Sequence, residues 1–205
     1  MLLQPLLVSM DDKVLKFKLE TLLQEMKFLE ADLEYHKTLL QSTHRSFSNH
    51  YGQRTKKMGV AERIRERSQK NRQTPPPPPG AKYKPSKKNK EIYKKIATVA
   101  HPDKLLHLSE EEREEKQRQF MAASDAVNNN MMLTLHQIAK DIGVSMDAPT
   151  PEDIILFEAE LNTLRNKIVD LEGNWVWHYA SAETDEQKEE IMKRYIYFIL
   201  TTLPK

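Results

Sequence analysis

Apolar residues recur at alternating steps of four and three between Asp11 and Thr43, with polar residues at most positions between them. The repeating positions are Leu15, Leu19, Leu22, Met26, Leu29, Leu33, His36 and Leu40. This spacing places one apolar stripe on a single helix face over more than three heptads. We therefore predict a long coiled-coil-type helix over 11–45, which needs another helix to cover its stripe.

The same spacing returns near the C-terminus, at Ile154, Phe157, Leu161, Leu164, Ile168, Leu171, Trp175 and His178. A further amphipathic segment follows from Asp185 to Leu203. We predict a C-terminal helical hairpin over 151–203. The two stripes are similar in length, so we expect them to pack together, within one chain or between chains, and homo-oligomerisation through the heptad helices stays open.

The segment between these regions has a different composition. The five prolines of 75–79 favour an extended polyproline rod and exclude a helix. We predict a basic, proline-rich linker over 46–81, in which Val60–Arg72 has the composition of a short basic helix. Few glycines and no alternating β-type run indicate an all-α fold, with a helical hairpin beside a coiled-coil or helical-bundle arm.

Charge is distributed unevenly along the chain. Residues 1–49 carry a net charge of −1, residues 50–104 carry +12, and residues 105–205 carry −9. There is no cysteine, which excludes disulfides and cysteine-based zinc sites. No segment has the composition of a membrane span, so we expect a cytoplasmic protein.

Two helices flank the tripeptide His101-Pro102-Asp103. A basic helix is predicted from about Lys87 to Ala100, and Pro102 ends it because proline disfavours helical geometry in the residue before it. Ser109 and Glu112 have the spacing of a capping box and predict the start of a second helix. That helix is expected to extend to about Ile142, and the three asparagines at 128–130 lower helix propensity enough to allow a kink or a break there.

The run "YKKIATVAHPDK" (93–104) resembles helix II and the following loop of the J-domain family of DnaJ-type co-chaperones, which read roughly "YRKLALKYHPDK". Phe120 and Ala126 match apolar positions of that family's helix III. The resemblance assigns 82–143 to a J-domain of the minimal type. The family's helix I is not recognisable before it, so either another segment of the chain covers that face of the hairpin or the J-domain is incomplete.

The resemblance implies a core between the two helices, formed by Ile96, Ala97, Ala100, Phe120, Ala123, Ala126 and Val127. It also implies a surface that docks on the ATPase domain of a DnaK-type (heat-shock-seventy class) chaperone. That surface would comprise Tyr93, Lys87, Lys88, Lys90, Lys94, Lys95, His101, Pro102, Asp103 and Lys104. Asp103 would engage an arginine of the chaperone, His101 would hydrogen-bond nearby, and ATP hydrolysis by the chaperone would be stimulated.

On this hypothesis the protein is a non-enzymatic co-chaperone with no cofactor, and its helical arms bind a client of unknown identity or form oligomers. The alternative is a structural or assembly protein, such as a viral or phage component, that carries a J-like hairpin. The basic linker could contact phosphates, but aromatic residues are sparse there, and we do not expect nucleic acid as a partner. The seven histidines show no spacing typical of metal ligands, so no metal site is predicted.

Overall fold

The computed structural model describes residues 11–71 and 84–202, and within these ranges it contains helices and no strand. The all-α prediction is therefore confirmed. The helices are α1 (Asp12–Lys57), α2 (Ala61–Asn71), α3 (Lys87–Ala100), α4 (Glu110–Asn128), α5 (Met132–Asp141), α6 (Pro151–Glu172), α7 (Trp175–Ala180) and α8 (Asp185–Thr202). A 3-10 turn at Pro102–Lys104 connects α3 to the segment before α4.

The described residues divide into two compact units. The first comprises 11–28 and 84–163, and the second comprises 29–71 and 164–202. The predicted J-domain segment lies in the first unit, apart from its opening residues 82–83, which lie outside the described ranges. The prolines at 75–79 lie outside them as well.

Helix α1 is longer than the sequence pattern predicted. We placed the start of the linker at residue 46, but α1 continues to Lys57 and α2 follows within the predicted linker. The apolar stripe continues in aromatic form, because Phe47 is buried and Tyr51 is half-buried. The helix ends before Gly59, whose φ of +67° is the left-handed conformation that commonly terminates helices.

Both predicted stripes are largely buried within the single chain, but the second is interrupted. Helix α6 ends at Glu172, and the last two predicted positions lie on α7, where Trp175 is half-buried and His178 is exposed. In α1 the buried positions are Leu15, Leu22, Met26, Leu29 and His36, and in α6 they are Ile154, Phe157, Leu161, Leu164 and Ile168. Apolar burial of this kind is the main stabilising contribution in a helical fold. The chain thus covers its own stripes, and the structure does not confirm a coiled coil between chains.

The core of the second unit is aromatic. Phe47, Tyr179, Met192 and Ile196 form a buried cluster. The Phe47 ring meets the Tyr179 ring edge to face at a centroid distance of 5.3 Å. In the same unit, the His36 imidazole stacks on Trp177 at 4.2 Å, which explains how a histidine occupies a heptad position.

Helices α3, α4 and α5 pack against one another in the first unit. The predicted break between α4 and α5 occurs, and Asn130 has a φ of +58° there. Asparagine tolerates this left-handed conformation better than other residues with a side chain do. The chain reverses at Asn130, and α5 folds back onto the α3–α4 pair.

Candidate functional site

The His101–Asp103 segment forms a turn at the tip of the α3–α4 pair. His101 follows the last residue of α3 and has φ −64° and ψ 132°, the extended conformation that a following proline enforces. Pro102 then begins the 3-10 turn, and the backbone N–H of Leu105 closes it by donating to the Pro102 carbonyl at 3.0 Å. The local sequence therefore fixes the backbone that carries both polar side chains.

The His101 imidazole is held on two sides. Its Nδ1 accepts a hydrogen bond from the backbone N–H of Asp103 at 3.3 Å. Its ring meets the Phe120 ring edge to face at 5.3 Å. Because Nδ1 is an acceptor here, the neutral ring carries its proton on Nε2, which is thereby a hydrogen-bond donor. The side chain is nevertheless 44% exposed and accessible to a partner.

The Asp103 carboxylate is 88% exposed, with Oδ2 3.5 Å from His101 Nδ1. The next two residues fasten the turn to the helices. Lys104 Nζ donates to the Thr98 carbonyl at 2.9 Å, and the Leu105 side chain is buried at 2% exposure. An exposed anionic group on an anchored turn can meet a cationic partner group with little loss of conformational freedom.

The predicted core of the α3–α4 pair is largely buried. Ile96, Ala100, Ala123, Ala126 and Val127 are all buried, while Ala97 and Phe120 are half-buried at its edge. The Tyr93 and Phe120 rings lie 5.9 Å apart. Alanines on both helices allow the backbones to approach closely, as a short connection between paired helices requires.

The six lysines predicted to face a partner are all exposed, but their environments differ. Lys88 Nζ pairs with the buried carboxylate of Asp153, and Lys95 Nζ lies 3.1 Å from Asp147 Oδ2. Among the described residues, we find no ion pair for Lys87, Lys90 or Lys94. These three follow helical i, i+3, i+7 spacing and form one basic stripe.

Ion pairing affects the acidic partners of these lysines. Burial favours the protonated form of Asp153, but hydrogen bonds from Lys88 and from the Thr150 backbone outweigh it and hold the pKa of the Asp153 carboxyl below its usual value. Hydrogen bonding to Lys95 likewise lowers the pKa of Asp147. Lys88 and Lys95 are therefore engaged within the chain, and the unpaired basic stripe contains fewer lysines than the sequence predicted.

Helix α5 packs against both α3 and α4. Leu133, Leu135 and Ala139 of α5 are fully buried. The start of α5 has no capping side chain of its own. Instead, the Glu160 carboxylate of α6 accepts hydrogen bonds from the backbone N–H groups of Leu133 at 2.8 Å and Thr134 at 3.1 Å.

Sequence reasoning missed two buried polar groups near the site. Asn89 is 1% exposed on the inner face of α3, and its Nδ2 donates to Asn130 Oδ1 at 2.8 Å. Asp153, the partner of Lys88, is also buried. The signal for Asp153 was present in "TPED" (150–153), since Thr150 and Asp153 form a reciprocal capping box with proline at the first helical position of α6.

Within 11–71 and 84–202, no group of three or more histidine, aspartate or glutamate side chains is arranged to hold a metal ion. The described helices include none that is both long and apolar enough to cross a membrane. Comparisons with protein-family models, with curated proteins and with solved structures found no match for this chain. The functional hypothesis thus depends on the residues and geometry of the site itself.

Proposed function

We propose that this protein is a co-chaperone that stimulates ATP hydrolysis by a DnaK-type chaperone through the loop between α3 and α4. The observation that carries the proposal is the anchored, exposed pair His101 and Asp103 at the C-terminal end of α3. The same helix carries the unpaired basic stripe Lys87, Lys90 and Lys94. The loop has the His-Pro-Asp sequence of the J-domain family, which the chain resembles over 93–104.

In the proposed mechanism the basic stripe first orients encounter with an acidic surface of the ATPase domain, because charge complementarity mainly speeds and directs association. Asp103 then pairs with an arginine of the chaperone, and the His101 Nε2–H donates to an acceptor nearby. These contacts favour the hydrolysis-competent conformation of the chaperone. The bond that breaks is in the chaperone's ATP, so the protein performs no chemistry of its own.

The test is single-turnover ATP hydrolysis by a DnaK-type chaperone in the presence of this protein. We expect stimulation by the native chain and its loss in His101→Gln and Asp103→Asn. His107→Gln is the matched control, because His107 is an exposed histidine six residues further along the same connection. Equal stimulation by native protein and His101→Gln contradicts the proposal, as does absence of stimulation with the chaperone of the same organism.

A structural or assembly role is the second candidate. It is supported by large apolar side chains that lie exposed on α1, far from the loop in sequence, such as Phe17 and Phe28. Co-sedimentation with a large assembly that is unaffected by His101→Gln, without chaperone stimulation, would support this role instead.

A further inference from the structure

A second heptad stripe runs along α1, outside the stripe that the chain buries. Its positions alternate steps of three and four, and all are exposed: Val14, Phe17, Thr21, Gln24, Phe28, Ala31 and Tyr35. Phe17 is 75% exposed and Phe28 is 69% exposed. Apolar side chains at these heptad positions are the ones that a facing helix buries in a helix–helix contact.

We propose that this second stripe is a dimer interface, in which α1 packs antiparallel against α1 of a second copy of the chain. The inference goes beyond the proposed function and does not depend on it. In the register that we propose, Phe17 of each copy lies opposite Phe28 of the other. The same register places Val14 opposite Ala31, and Thr21 opposite Gln24, so large residues meet large ones at two symmetric layers.

Charges beside the stripe select this register. In antiparallel helix pairs, the charged positions on one side of the apolar stripe face positions on the same side of the stripe in the second copy. Here Lys18 meets Glu25, and Glu20 meets Lys27. Each of these attractive pairs occurs twice by symmetry.

Further along the helix, Lys13 meets Glu34 in the same register, again twice by symmetry. The like-charged pair of Asp11 with Asp32 lies at the end of the contact, where Asp11 precedes the first residue of α1. Repulsion there is screened by solvent.

Other arrangements bring like charges together. A parallel pair places Lys13 opposite Lys18 and Glu20 opposite Glu25, against one attractive pair, Lys27 with Asp32. An antiparallel pair shifted by one heptad in one direction places Lys18 opposite Lys18 and Glu20 opposite Glu20. A shift in the other direction places Lys27 opposite Lys27. The charge pattern therefore discriminates against the competing registers as well as favouring one.

Several flanking charges also pair within the chain. Lys18 Nζ lies 2.9 Å from Glu158 Oε1, and Lys27 Nζ lies 3.6 Å from Asp141 Oδ1. These side chains stay between 42% and 58% exposed, so the internal pairs leave room for a second partner. The Lys13–Glu34 pair is the best one to vary, because among the described residues neither side chain forms an ion pair with another helix. Glu34 lies 3.5 Å from Lys37, one turn along α1.

The first experiment measures the dissociation constant of the full chain by sedimentation velocity. Lys13→Glu and Glu34→Lys each create two like-charged pairs in the homodimer, and each is expected to raise the constant about tenfold. An equimolar mixture of the two variants restores attraction in the heterodimer, so the mixture is expected to associate as tightly as the native chain. A mixture as weak as either variant alone overturns the proposed register.

Phe28→Glu tests the apolar contact and is expected to abolish association. The matched control is Met121→Glu, which alters a similarly exposed apolar side chain on α4 and leaves the dimer intact. Circular dichroism checks that both variants keep their helix content. A native chain that stays monomeric at about 100 μM overturns the proposal, as does dimerisation unaffected by Phe28→Glu.

Cross-linking determines the direction of the helices, since the chain has no cysteine of its own. A mixture of Val14→Cys and Ala31→Cys is expected to form the mixed disulfide on oxidation. Val14→Cys alone is expected to stay uncross-linked, because in an antiparallel pair its two copies lie about 26 Å apart along the helix. Efficient cross-linking of Val14→Cys with itself indicates a parallel pair and overturns the inference.

Discussion

The side chain of Asn89 donates a hydrogen bond to Asn130 Oδ1 at 2.8 Å, and so links the first turn of α3 to the reversal between α4 and α5. The same oxygen accepts the backbone N–H of Ser86 at 3.1 Å. One exposed asparagine thus satisfies two donors at the start of α3. It also adopts a φ of +58°, which few residues accept without strain.

This arrangement predicts a graded loss of stability at position 130. Asn130→Ala removes both hydrogen bonds and strains the turn, so we expect a loss of about 2–3 kcal/mol in the free energy of unfolding. Asn130→Gly removes the hydrogen bonds, but glycine adopts the positive φ without strain, so we expect a loss of about 1–2 kcal/mol in the free energy of unfolding. Asn128→Ala, two residues earlier, should change the free energy of unfolding by less than about 0.5 kcal/mol. Urea unfolding measures all three, and an equal loss in the Ala and Gly variants would contradict the strain contribution.

Leu105 and Leu106 provide a matched pair that tests the anchoring of the His101–Asp103 turn. Leu105 is buried and Leu106 is 76% exposed. Leu105→Ala should lower the free energy of unfolding by about 2–4 kcal/mol, whereas Leu106→Ala should cost less than about 0.5 kcal/mol. Hydrogen exchange at the backbone amides of 103–105 should accelerate only in Leu105→Ala. Unchanged exchange in that variant would show that the turn is held by other contacts.

The lysines should separate into two groups when binding to a DnaK-type ATPase domain is measured. Lys90→Glu and Lys94→Glu should each weaken binding by about fivefold at low salt, because they reverse unpaired charges. Lys95→Glu should have a smaller effect, since Lys95 is already paired with Asp147. Lys167→Glu on α6 is the control for net charge, because Lys167 is exposed and lies outside the stripe. Equal losses in all four variants would indicate a general charge effect.

Lys88 should affect stability more than binding. Removing its ammonium group leaves the Asp153 carboxylate buried without its cation, which is costly. Since Lys88 is itself half-exposed, we expect Lys88→Met to lower the free energy of unfolding by about 1–2 kcal/mol. The same substitution together with Asp153→Asn should cost less than the sum of the two single changes. Additive losses in urea unfolding would show that the two residues do not interact.

His136 should make stability depend on pH. The His136 side chain is buried, and its ring lies 5.1 Å from the Phe157 ring. Burial lowers the pKa of His136 to about 4, and the positive charges of Lys88 and Lys95 lower it as well, whereas the negative charge of Asp153 raises it. The unfolded chain protonates this histidine near pH 6.5, so stability is lost as the pH falls from about 6.5 towards 4. Between pH 7 and pH 5 we expect a loss of about 2 kcal/mol from this group.

Urea unfolding of native protein and His136→Gln at both pH values measures that contribution. The loss between pH 7 and pH 5 should be smaller in His136→Gln than in native protein, while the exposed His44→Gln should behave like native protein. Identical pH dependence in native protein and His136→Gln would show that the buried imidazole does not titrate as its environment indicates.

The sequence was informative wherever structure is set locally. The stripes of α1 and α6, the capping box at Ser109 and the break after Asn128 all follow from spacing and propensity within a few residues. The continuation of α1 beyond residue 46 was missed because Phe47 and Tyr51 are separated by polar residues that weaken the periodic signal.

The long-range polar partners could not be predicted in this way. Lys88 with Asp153 and Lys95 with Asp147 pair over 65 and 52 residues of sequence. Nothing in the local pattern states where the segment 147–153 lies relative to α3. The candidate loop was recognisable from its residues, whereas the division of its lysines into paired and unpaired groups required the fold.

If the basic surface binds an acidic partner as proposed, the Asp147 carboxylate competes with that partner for Lys95. Asp147 is joined to α3 by the chain itself, so its carboxylate is present at Lys95 at an effective concentration on the order of millimolar. An acidic partner must displace this built-in competitor before it gains from Lys95. On the proposed function, partners with dispersed, weak negative charge would gain little from Lys95, and binding would favour partners that engage Lys90 and Lys94 first.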